Sequence, residues 1–163
     1  MELLRTELVL DTSRRHVGAL SQSPDAAEIA NYLAQIAAIT FYAEVEEKVR
    51  KIISDRLAAP GDGRLAYFLF KNKEGMIKRV SKADLVETLV QFGADCRDEL
   101  NRRFDEAEIT KYSNVISGRH RTSHGPGAEI TLEEVHEAKA VAERLLDSIS
   151  EIIHTPGPVE VPA

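Results

Sequence analysis

The sequence predicts an all-α fold with one long helix, and three observations carry that expectation. Apolar residues recur at three- and four-residue spacing along nearly the whole chain. Ser, Thr, Pro and Gly stand where such helices would begin and end. The one short apolar run without a clear period, Arg64 to Phe70, has no partner strand elsewhere. It reads as a short helix or an extended loop against the core.

The elements follow in order. Met1 to about Leu20 is a first helix, with Leu4, Leu8 and Val17 on roughly one side. Ser21 to Pro24 is a break, where Ser23 can cap a second helix and Pro24 can take its first position. From there Ile29, Leu33, Ile36 and Thr40 form a stripe, continued by Val45, Val49, Ile52, Ile53 and Leu57 and stopped at Pro60-Gly61. A helix of about 35 residues is about 50 Å long, whereas a compact domain of this size has a radius of gyration near 15 Å. Either the helix kinks near Thr40 or it forms the spine of a dimer.

Ser81 and Asp84 resemble a capping box for a helix ending at Gly93. A short helix follows from Asp95 to Phe104. Acids at Asp105, Glu106 and Glu108 suit the start of the next helix, which carries Ile109, Tyr112, Val115 and Ile116 toward His124. Thr131 and Glu134 form a capping box for the last helix, with Val135, Ala138, Ala142, Leu145, Ile149 and Ile152 as its buried stripe. Residues 1–155 read as a single domain, and residues 156–163 as a short tail.

Composition narrows the function. The chain has 163 residues, 43% apolar and 29% charged, and no tryptophan. That suits a soluble domain with a Leu, Ile, Val and Ala core. No apolar run approaches the ~20 residues of a membrane span, and the N-terminal residues lack the apolar core of a signal peptide. Cys96 is the single cysteine. A disulfide framework and a thiolate zinc cluster are therefore excluded, and a reducing cytoplasm is the expected location.

The net charge of −6 argues against a uniformly basic nucleic-acid binder. Its distribution is uneven. From Ala128 onward there are eight acids and two bases, which leaves 19 of each in the first 127 residues. The acidity is one C-terminal element. The most basic stretch, Lys71 to Lys82, and the pair Arg102-Arg103 are candidate polyanion contacts; an ordinary solvated surface is the plainer reading of each. Tyr42, Tyr67, Phe68 and Phe70 could stack bases, though core packing suits them better. Glu44, Glu46 and Glu47 read as a solvated face, and Cys96, beside Asp95 and Asp98, as an inert thiol.

The chemistry gathers in Gly118-Arg119-His120-Arg121-Thr122-Ser123-His124-Gly125. A guanidinium is always charged and can hold a phosphate with two hydrogen bonds. A histidine moves protons near neutral pH. Together they suffice for phosphodiester cleavage without a metal or cofactor. The histidine handles the proton of a ribose 2′-OH or of the leaving oxygen, and the arginine stabilises charge on the phosphoryl oxygens. In a chain with 13 arginines and 5 histidines the spacing alone carries little weight. Five steps of about 100° also place Arg119 and His124 about 140° apart on a regular helix, whereas His120 and His124 share a face.

Arg119-His120-x3-His124 resembles the signature of HEPN domains: Arg, a polar residue, three residues, His. The flanks are similar as well. Tyr112 to Gly118 resembles the penultimate helix, Gly125 the usual exit after the histidine, and Ile130 to Ala138 the start of the last helix. Val80 to Gly93 resembles the subgroup called RiboL-PSP-HEPN. The resemblance covers about Ser81 to Ile153. It implies an up-and-down helical bundle and, in many members, a metal-independent ribonuclease working as a dimer with two motifs facing one cleft. Toxins, phage-defence ribonucleases and inactive interaction modules all occur. Carried over, Arg119 would bind the phosphate, His124 would act as general acid–base, and His120 would orient the scissile group. Arg121, Thr122 and Ser123 are the neighbouring candidates for substrate binding. Some toxin members carry a tyrosine two residues after the histidine for nucleotide addition; here that place is Pro126, so such regulation is not expected.

Three rival readings stand beside this one. The basic residues could simply compensate a helix C-terminus. His120 and His124 have the spacing of a zinc helix, but no glutamate follows His120 and no third ligand is evident. A non-catalytic dimer binding an antitoxin protein would share the fold without the chemistry.

Overall fold

The computed structural model describes residues 1–59, 79–121 and 130–155, and of Arg119, His120 and Arg121 the backbone alone. The Arg64–Phe70 run, the Lys71–Lys78 part of the basic stretch and the C-terminal tail lie outside the described residues, as do Tyr67 and Phe68. Those described are all-helical, with no strand among them. The helices are α1 (Leu4–Ala19), α2 (Ala26–Ala58), α3 (Lys82–Val90), α4 (Asp95–Arg103), α5 (Glu106–Arg121) and α6 (Leu132–His154). Among the described residues no helix is long and apolar enough to cross a membrane.

Polar contacts give the directions. Arg14 of α1 meets Glu133 at the start of α6, and the Leu3 N–H donates to Glu143 further along it. Lys111 of α5 meets Glu137, while Glu108, earlier on α5, meets Arg144, later on α6. So α1 and α5 both run antiparallel to α6. The Arg56 side chain donates to the Ile153 carbonyl at 2.6 Å, which sets α2 parallel to α6. These four helices alternate up and down around one apolar cluster, and the short pair α3–α4 packs beside α5 and α6.

The core differs from the expected stripes in two places. On α1 the inward residues are Leu10, Thr6 and Ser13, with Leu3 just before the helix, while Leu4 and Leu8 face solvent. In the first half of α2 the buried residues are Ala34, Ala37 and Ala38, and Ile36 is exposed. The second half follows expectation: Val45, Val49, Ile52, Ile53 and Leu57 are all buried. The helix is continuous through Thr40, whose hydroxyl donates to the Ile36 carbonyl.

α2 also starts later than expected. Pro24 lies in the preceding turn, Ser23 accepts from the Asp25 N–H, and Asp25 stands at the cap position without a side-chain cap bond. Counting back from the Arg56–Ile153 contact, the start of α6 stands level with about residue 35 of α2. The first two turns of α2 therefore extend past α6, accompanied by the end of α1.

Glu44 corrects the expected solvated face. It is buried, and its carboxylate accepts from the Thr6 N–H at 2.8 Å, the Thr6 hydroxyl at 2.8 Å and the Arg5 N–H at 3.1 Å. α1 has no cap of its own. Carboxylates from α2 and α6 satisfy its free N–H groups and place negative charge at its positive end.

The acids of the last helix also have partners, mostly at the surface. Glu133 pairs with Arg14, Glu137 with Lys111 and Glu151 with Arg103. Lys139 bridges Glu7 at 2.7 Å and Glu143 at 3.0 Å. Glu134 completes the expected capping box with Thr131. The acidic element thus complements basic residues of α1, α4 and α5. Each exposed pair contributes less than about 1 kcal/mol, but together they fix which helices α6 touches.

Candidate functional site

The helix that carries the motif is fixed at both ends. At its start, the Glu108 N–H donates to Asp105 at 2.8 Å, and the Asp105 N–H donates to Glu108 at 3.2 Å. This reciprocal cap was legible only as acidity. In its middle, Tyr112 is fully buried. Its hydroxyl donates to the Val80 carbonyl, and its ring meets Phe41 edge-on at 6.1 Å. Burial pushes this phenol far above its usual range, with the nearby Tyr42 adding to the effect, so it stays neutral.

At its end stands Gly118. A Cβ there would lie 2.5 Å from Ile130 Cδ1 and 2.9 Å from Ile130 Cγ1. A side chain there would have to displace Ile130, because α5 closes directly on the residue that precedes the α6 cap. That contact sets where the following turn of α5, Arg119 to Arg121, sits relative to α6.

The helix runs to Arg121, so Arg119, His120 and Arg121 occupy its last turn. Earlier turns of α5, at Ile109, Ser113, Ile116 and Ser117, line a groove of about 500 Å³ between α3, α4 and α5. Ser81, Lys82, Asn101, Ser113 and Ser117 supply its polar groups, over a floor that includes Ile116. An ammonium, an amide and hydroxyls above an apolar floor suit a ligand with both a polar edge and an apolar face. Thr122, Ser123 and His124 lie outside the described residues. The structure thus brings Arg119, His120 and Arg121 to one helix end beside the groove.

Sequence reasoning missed the groove. Ser113 and Ser117 are an i, i+4 pair just before the motif, a signal that was present. Lys82 and Asn101 arrive from other helices and gave none.

The other singled-out residues are mostly occupied. Arg103 donates to Glu151 at 2.6 Å and to Glu99 at 3.0 Å, and Arg102 also pairs with Glu99. Glu151 and then Glu99 hold the Arg103 pKa above its ordinary value. Arg102 and then Arg103 keep the Glu99 carboxyl below the usual range. The pair Arg102-Arg103 is therefore tied into surface ion pairs.

Cys96 is buried, and burial followed by the charge of Asp95 raises its thiol pKa, as an inert thiol requires. Tyr42 is buried in the core. Among the described residues no group of three or more His, Cys, Asp or Glu is arranged to hold a metal ion. Of the remaining histidines, His154 donates from Nδ1 to the Ser150 carbonyl at 2.8 Å, and the Nδ1 of His136 is buried without a hydrogen-bond partner.

Compared with known proteins, the chain matches no family model, no curated protein and no solved structure.

Proposed function

We propose that this protein is a metal-independent endoribonuclease of the HEPN type, acting in the cytoplasm as a homodimer in a toxin or phage-defence setting. The observation that carries the reading is the placement of Arg119, His120 and Arg121 on the last turn of α5, held against α6 by Gly118 and following the turn that lines a groove with an apolar floor and polar groups. The resemblance of residues 81–153 to HEPN domains supplies the reaction class, and fold-level likeness to that family carries it only as analogy.

In the proposed reaction Arg119 binds the scissile phosphate and stabilises charge on its oxygens. His124 moves the proton between the ribose 2′-OH and the leaving 5′-oxygen. His120 positions the phosphate, with Arg121, Thr122 and Ser123 on the substrate side. The 2′-oxygen forms a bond to phosphorus as the P–O5′ bond breaks, leaving a 2′,3′-cyclic phosphate and a 5′-OH.

The test is cleavage of RNA in EDTA by the wild type, Arg119→Ala and His124→Ala. The wild type should cut, and His124→Ala should lose about 100-fold or more of the rate. Activity that disappears in EDTA would refute the metal-free mechanism.

A second reading has one observation in its favour. Arg14, Arg103 and Lys111 are spent on acids of the same chain, which suits a non-catalytic module that binds an antitoxin protein. No cleavage at all, together with a stable dimer, would select it.

A further inference from the structure

We propose that the outward face of α1 and the first half of α2 is where a second copy of this chain docks. Among the described residues, the exposed large apolar side chains are Leu4, Leu8, Tyr32, Ile36 and Ile39, each between 51 and 65% exposed. All five fall on these two neighbouring helices. Taking the Thr6–Glu44 contact as the seam between α1 and α2, Leu8 and Ile36 stand on the side of the two-helix layer away from the core. Scattered exposed apolar residues need no explanation; a contiguous set does.

The sequence of this face is unusual for a solvated helix. From Ile29 to Ala43 there are fifteen consecutive residues without a charge, in a chain that is 29% charged. Depletion of charge is the compositional mark of an interface centre. Tyr32, Ile36, Ile39 and Ala43 follow one another at four, three and four residues, the spacing with which helices pair along a seam.

Area and charge favour a second copy. At about 200 Å² for a large apolar residue, the five exposures amount to roughly 600 Å² per chain. A standard interface takes about 800 Å² from each partner, and homodimer interfaces are about 65% apolar. The patch therefore supplies the apolar part of one such interface. A membrane-surface helix would instead flank its apolar face with Lys and Arg. Here the exposed flanking charges are of both signs, among them Glu2, Arg5, Asp11 and Arg15. Two copies related by a two-fold axis can oppose unlike charges there.

This inference deepens the dimer part of the proposed function but rests on exposure and charge rather than on Arg119 or His124. It is tested without RNA, so its failure and that of the nuclease reading are distinguishable. The experiment is sedimentation equilibrium of the wild type and the double variant Leu8→Glu/Ile36→Glu at about 50 µM, well above a micromolar Kd.

The wild type is expected at twice its 18.1 kDa chain mass. The double variant should weaken association by about 100-fold or more, because four carboxylates would be buried per dimer. Its circular dichroism should match that of Glu87→Lys, a surface control that should remain dimeric. A monomeric wild type would overturn the inference. So would a double variant that associates as tightly as the wild type, or a monomer that binds phosphatidylcholine vesicles through this face.

Discussion

The last helix and the first half of α2 both show apolar residues at helical spacing, yet only one of the two stripes is covered. In α6, Val135, Ala138, Ala142, Leu145, Ile149 and Ile152 all face the core. In α2 from Ala26 to Thr40 the large side chains Tyr32, Ile36 and Ile39 point outward, and alanines at 34, 37 and 38 point in. Periodicity tells which residues share a face. It does not tell which of two apolar faces has a partner within the chain. Small residues on the inner face let the backbones approach closely, and the bulky outer face is left for another surface.

The largest effect that separates the two stripes is truncation of a large side chain. Leu145→Ala should cost about 3 kcal/mol and lower Tm accordingly. Ile36→Ala should change the stability of the isolated monomer by less than about 0.5 kcal/mol. Thermal melts of both under dissociating conditions would check this, and equal losses would erase the distinction.

The next effect concerns two glutamates three residues apart on α2. Glu44→Ala leaves two N–H groups and a hydroxyl of α1 without their acceptor and should cost about 2 kcal/mol. Glu47→Ala removes only an exposed ion pair with Arg5 and should stay within about 0.5 kcal/mol. Urea unfolding would measure both.

A smaller effect is expected at the end of α5. Gly118→Ala drives a methyl into Ile130 and should cost about 1 kcal/mol, the clash partly offset by better helix propensity. Adding Ile130→Val removes Cδ1, so the double variant should be less destabilised than the sum of the single changes.

The smallest effect is a pH dependence at the α1–α6 contact. The hydrogen bond from Lys139, followed by its charge, holds the Glu7 carboxyl below the usual range despite opposing desolvation. Its folded-state pKa is thus lowered relative to the unfolded chain. The pair then contributes fully at neutral pH, and the contribution is lost as pH falls through about 4.3 and below. Solvent screens it to a few tenths of a kcal/mol. Lys139→Met should flatten the acid limb of a Tm-against-pH curve by that amount, and an unchanged limb would remove Glu7 from the explanation.

What was legible in the sequence was local. The Thr131–Glu134 cap and the α6 stripe each depend on residues within a turn or two, and the structure has both. The inertness of Cys96 followed from its neighbours and was completed by burial. What was not legible depends on distant residues. Glu44 is buried because Thr6 lies 38 positions away in the chain. Leu3 and Leu10 rather than Leu4 and Leu8 face inward because of how α1 lies on α2 and α6, which no α1-only pattern reveals. At the candidate site the Arg119–Arg121 cluster at a helix end could be read directly. The groove beside it could not, since Lys82 and Asn101 come from α3 and α4.

The most direct test of the proposed chemistry is to identify the ends of the RNA products formed in EDTA. Transphosphorylation through Arg119 and His124 predicts 2′,3′-cyclic phosphate and 5′-OH termini from the wild type, and their loss in His124→Ala. Products bearing 3′-OH and 5′-phosphate termini, or the same products from His124→Ala at the wild-type rate, would contradict it.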